Sequence, residues 1–93
     1  MKVNQMKSIE SIREALSKIV DEQIEYGMSP YSAELKIDQA NKEVIFTLNQ
    51  ETLILLARDL MELSLKQSQG SHIHYDEVNI LDEPDHKLVI VLK

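Results

Sequence analysis

From Ser8 to Tyr26 the apolar residues recur three or four apart. Ile9, Ile12, Leu16 and Ile19 share one stripe, with Val20 and Ile24 beside it. That period predicts an amphipathic helix over residues 8–26. Glu10, Arg13, Glu14, Lys18, Asp21 and Glu25 fill the other faces. Ser8 is placed to cap the first turn, because its hydroxyl can accept from an unpaired amide. Gly27 can end the helix in a left-handed conformation, and Pro30 breaks continuity by restricting Ser29. Residues 1–7 precede this pattern and are open to disorder.

The period then shortens to two. Ala33, Leu35 and Ile37 alternate with Glu34, Lys36 and Asp38, and Val44, Phe46 and Leu48 share a face opposite to that of Ile45 and Thr47. Two half-buried strands follow, joined by Asp38-Gln39-Ala40-Asn41-Lys42, in which Asp38 and Asn41 can bond locally to backbone. Residues 50–68 return to the helical period. Asn49 is the expected N-cap, and Glu51 suits the positive end of the helix dipole. Leu53, Leu56, Ala57, Leu60 and Leu63 form the expected stripe. Ile54, Leu55, Met61 and Leu65 widen it, so this helix should be covered on more than one side. Gly70 closes the segment.

A short strand follows with Ile73 and Tyr75 to one side and His72, His74 and Asp76 to the other. Asp82-Glu83-Pro84-Asp85-His86 reads as a turn. Leu88 to Leu92, an unbroken LVIVL, has the pattern of an interior strand buried on both faces. The whole reads as one small α+β domain over residues 1–93, ordered α-β-β-α-β-β. The expected architecture is a four-stranded, mostly antiparallel sheet with two helices packed on one face.

Composition narrows the function classes more than the fold. There is no cysteine, hence no disulfide framework, thiolate metal site or cysteine nucleophile. The chain has two glycines and no phosphate-cradling loop. The N-terminal segment mixes charge throughout and reads as no secretory signal, and no apolar run approaches membrane-spanning length, so a cytosolic setting is expected. The net charge is −6. Such a surface repels phosphates and anionic lipid, which argues against nucleic acid and membrane as partners and favours a basic protein.

The candidate chemistry lies in GSHIHYDE, residues 70–77. On a strand His72, His74 and Asp76 project to one face, and two imidazoles with a carboxylate suit zinc or non-haem iron. Yet residues four apart lie roughly 13 Å apart on a straight strand, so the histidine pair alone would need help from Asp85 or His86. His72 and His74 are therefore weak metal candidates, and no metal or other cofactor is expected. Exposed histidines on a polar strand face are the simpler account. Ser71 and His72 could equally form a structural corner by bonding the last helix carbonyls. Ser71 lacks a nucleophile-elbow setting, and adjacent residues of an extended segment point apart, so no enzyme is expected. Asp76, Glu77, Asp82, Glu83 and Asp85 lack calcium-loop spacing and read either as a solvated turn or as an acidic lip for lysines and arginines. The wide second helix and LVIVL leave a homodimer open as well.

From Tyr31 on, the chain resembles the bacterial immunity protein 32 family. The residues that carry the resemblance are LNQETLILLARDLMELSLKQ, then GSHIHYDE, LDEPDHKL and VIVLK. The resemblance covers residues 31–93 and implies a protein that neutralises a cognate bacterial toxin by binding it. It supplies no catalytic residues. The expected contact residues are His72, His74, Asp76, Glu77, Asp82, Glu83 and Asp85. The alternative is a dimeric interaction domain without a toxin, in which GSHIHYDE is a corner.

Overall fold

The computed structural model describes residues 1–24, 29–75 and 87–93. The order is α1 (Val3–Gln23), β1 (Ala33–Asp38), β2 (Glu43–Leu48), α2 (Gln50–Ser64), β3 (His72–Tyr75) and β4 (Leu88–Val91). The α+β class and the α-β-β-α-β-β order are as expected. Helix α1 begins five residues before Ser8. The Gln5 side chain accepts from the Lys2 amide at 3.2 Å, and Ser8 sits inside the helix, donating to the Asn4 carbonyl at 3.1 Å. A mid-helix serine commonly bonds back in this way, so it carries no start signal. Gly27 lies outside the described residues.

The expected single four-stranded sheet is not formed among the described residues, which hold two separate two-stranded antiparallel sheets, β1–β2 and β3–β4. The reason lies in how the hairpins meet. Ala33 and Leu35 of β1 and Tyr75 of β3 are buried with Val20 of α1 and Leu55 of α2. Phe46, Leu48, Ile73, Leu88 and Ile90 pack against that group. The hairpins thus converge through apolar side chains on a shared core, and their backbone edges do not align.

The β1–β2 register pairs Ala33 with Leu48, Leu35 with Phe46 and Ile37 with Val44. Its turn is held as expected, with the Asn41 amide donating to Asp38 Oδ1 at 3.2 Å and Asn41 Nδ2 to Asp38 Oδ2 at 2.9 Å. These bonds hold the exposed Asp38 carboxyl below its usual range. The apolar face of the hairpin outruns the core, however: Ile37 and Val44 are both exposed.

Helix α2 is capped as expected, with Asn49 Oδ1 accepting from the Thr52 amide at 3.0 Å. Its buried positions are Thr52, Leu55 and Leu63, whereas Leu53 and Leu60 are exposed. The core-facing arc is therefore rotated from the expected stripe. Thr52 is fully buried. Its hydroxyl accepts from the Ser32 amide at 2.9 Å, lies 3.1 Å from the Ser32 carbonyl and contacts Asn49 Oδ1. Asn49 Nδ2 also donates to the Pro30 carbonyl at 2.8 Å. This polar knot ties the start of β1 to the start of α2, and it fills a turn of the helix that an apolar pattern cannot use.

Candidate functional site

Helix α2 ends at Ser64, six residues before Gly70. Its last carbonyls are satisfied locally: Leu65 and Lys66 donate to Glu62 and Leu63, and the Ser64 hydroxyl donates to Met61. In the alternative of a Ser71–His72 corner these side chains would bond the same carbonyls; among the described residues the His72 ring instead lies by the Gly70 carbonyl. Gly70 instead turns the chain into β3 with φ +85°, a conformation that disfavours any side chain even though space there is open. The Gly70 amide donates to Leu92 and the Leu92 amide to Ser71, which locks the entry of β3 onto the end of β4.

The strand alternation of HIHY holds. Tyr75 is buried at 3% exposure and Ile73 is half-buried, while His72 and His74 are exposed. LVIVL does not form a strand buried on both faces. Leu88 and Ile90 pack inward, but Val89 and Val91 are 52% and 57% exposed. Among the described residues this sheet has two strands, and the core lies on one side of it. The register sets His72 opposite Val91 and His74 opposite Val89. Directly opposed residues share a face. The outer surface of this hairpin is thus two imidazoles beside two valines.

The rings of His72 and His74 stack with centroids 6.0 Å apart and planes 26° apart. His72 Nδ1 lies 3.2 Å from the Gly70 carbonyl oxygen. A carbonyl only accepts, so Nδ1 is the donor in this bond. Among the described residues no group of three or more His, Cys, Asp and Glu is placed to hold a metal ion. Asp76, Glu77, Asp82, Glu83, Asp85 and His86 lie outside the described residues. The described residues that line a concavity of about 530 Å³, Met1, Asn4, Gln5, Ser8 and Ile9, include neither histidine nor carboxylate. The outer face of β3–β4 is an open surface suited to contact.

Behind that face lies a polar group that the sequence reading missed. The Tyr75 hydroxyl donates to Asp59 Oδ2 at 2.6 Å, and Asp59 Oδ1 receives the Arg58 guanidinium at 2.9 and 3.0 Å. Both carboxylate oxygens are engaged, as a largely buried charge requires. Burial, then the bond to Asp59, pushes the Tyr75 hydroxyl far above the usual tyrosine range. Burial likewise raises Tyr31. Asp59 lies four residues from both Leu55 and Leu63, on the buried arc of α2 that the expected stripe did not single out. A carboxylate there needs a donor, and Tyr75 on the inner face of β3 supplies one. The bond anchors β3 to α2 and so orients the two histidines on the opposite side of the strand.

Comparison with known proteins agrees with this division of the chain. No curated protein and no solved structure matches it. The family model for Immunity protein 32 matches residues 43–93. That span holds β2, α2, β3 and β4, leaving α1 and β1 outside, and begins later than the resemblance drawn from Tyr31. A match to more than half of the 93 residues, carried on the elements that build and anchor the histidine face, places the chain in the Immunity protein 32 family.

Proposed function

We propose that this chain neutralises a cognate bacterial toxin by stoichiometric association in the cytosol, with no chemistry of its own. The observation that carries the reading is the family match over β2–β4, since an immunity family implies a protein partner. His72 and His74 would be contact residues. An open strand face of imidazoles beside exposed valines has the mixed character of an interface centre, where aromatic and apolar groups gather and charge is sparse. Asp76, Glu77, Asp82, Glu83 and Asp85 follow in the chain and carry five acidic groups. They favour a basic toxin domain, whose lysines and arginines they would attract and steer.

The test uses the purified chain as bait for proteins of the source cell at low and high salt. The expected result is one basic protein retained in near-equimolar amount and released by salt. His74→Ala and Glu77→Ala should each weaken that complex about tenfold, roughly 1.4 kcal/mol, without lowering the melting temperature. A complex indifferent to both variants, or no retained partner at either salt, overturns the reading.

A further inference from the structure

The monomer is more open than its mass requires. A compact chain of 10.7 kDa exposes about 5,500 Å², whereas this one exposes 6953 Å². Its radius of gyration is 14.8 Å against about 12 Å for a compact domain of this length. A standard interface removes roughly 800 Å² from each partner, so the excess is more than one such interface would cover.

The open edge of β2 is where that surface is best prepared. The Asn49 amide donates to the Ser32 carbonyl at 3.2 Å, which makes these two a hydrogen-bonded pair. Alternation along the antiparallel ladder then makes Glu34–Thr47 and Lys36–Ile45 hydrogen-bonded pairs too. The amides and carbonyls of Val44, Phe46 and Leu48 point the other way, to an edge that no third strand occupies among the described residues. Edge strands of monomers are usually guarded by charge, proline or a bulge. Beyond Glu43, β2 has none of these, and Val44 and Ile45 are 67% and 40% exposed. The neighbouring β1 is guarded, with Glu34, Lys36 and Asp38 alternating along it. Strand β4 is unguarded but only four residues long.

We infer that a second copy of this chain pairs antiparallel along the β2 edge, giving a four-stranded β1-β2-β2-β1 sheet across a two-fold axis. Self-pairing of one strand is isologous and closes at the dimer, because each β2 then has both edges filled and the outer β1 strands are guarded. The exposed apolar residues of this hairpin, Ile37 and Val44 on one face and Ile45 on the other, lie beside the new seam. The four-stranded sheet expected of one chain is assembled from two. The histidine face of β3–β4 stays open, so this inference stands or falls apart from the proposed toxin partner.

Light scattering on the full chain after size exclusion, over a dilution series, tests it. The expected result is twice the 10.7 kDa chain mass, falling toward one on dilution. Val44→Pro removes an outward amide that the internal ladder does not use, so the expected variant is folded by circular dichroism and monomeric where wild type is dimeric. Ile45→Lys sets like charges near the two-fold axis and is expected to weaken the dimer at least tenfold, which decides the matter should Val44→Pro not fold. A wild-type chain at single mass at every concentration overturns the inference. So does a dimer that survives in the folded form of either variant.

Discussion

Helices α1 and α2 look alike in sequence and are used in opposite ways. Both are amphipathic, and α1 is the longer, at 21 residues against 15. Yet α1 buries only Val20, while α2 buries Thr52, Leu55 and Leu63. The N-terminus of α1 has only the Gln5 side chain on the Lys2 amide; that of α2 is tied by Asn49 and Thr52 to Pro30 and Ser32. The ion pair between the helices, Arg13 with Glu62 at 3.8 Å, is half-exposed and contributes little. Helix α2 lies within the family match and α1 outside it. An apolar stripe therefore shows which side of a helix can be buried, and the surrounding elements decide how much of it is. Here α1 lies along α2 and adds Val20 to a core that α2 shares with both hairpins.

Five substitutions can break that contrast. Leu55→Ala, in the middle of the core, should cost about 3 kcal/mol and lower the melting temperature by roughly 10 °C or more. A thermal melt checks it, and a loss under 1 kcal/mol would mean that α2 is not the central element. Tyr75→Phe removes a donor from the largely buried Asp59 carboxylate and should cost about 2 kcal/mol in urea unfolding.

The same tyrosine predicts a dependence on pH. Burial raises Tyr75 and Tyr31 above the ordinary tyrosine value of about 10, so the folded chain holds these protons more tightly than the unfolded chain does. Their stabilisation is complete below about pH 10 and falls as pH rises beyond it, because the unfolded state then ionises first. Urea midpoints of wild type should drop above that pH, and Tyr75→Phe should flatten the drop while Tyr31 keeps a remainder.

The caps give the next contrast. Asn49→Ala should cost about 1 kcal/mol, whereas Lys2→Ala, whose side chain caps nothing, should be close to neutral. Small as well is Ile12→Ala on the exposed side of α1, expected within about 0.5 kcal/mol of wild type in the same melts. A cost near that of Leu55→Ala would show that something covers α1.

Local rules were legible where a feature is local. The alternation along β2, the Asp38–Asn41 turn, the Asn49 cap and the alternation of His72, Ile73, His74 and Tyr75 all depend on neighbours within a few residues. Features that depend on distant partners were not. Asp59 reads as one more helix charge until Tyr75 arrives from sixteen residues away. Thr52 reads as a weak helix former until Ser32 meets it across twenty residues. LVIVL contains no signal that one of its faces would be left uncovered.

The sequence by itself determined the periods: two helices, two hairpins, their order, and a strand that sets two histidines on one side and a tyrosine on the other. Side-chain alternation follows from backbone geometry alone, so it needs no tertiary information. Tertiary structure decided which arc of α2 enters the core, that the hairpins meet through side chains and not along an edge, and that Val89 and Val91 flank the histidines on an open face. Those outcomes depend on how apolar surfaces from separate parts of the chain fill one small core, and burial is a property of the assembled packing.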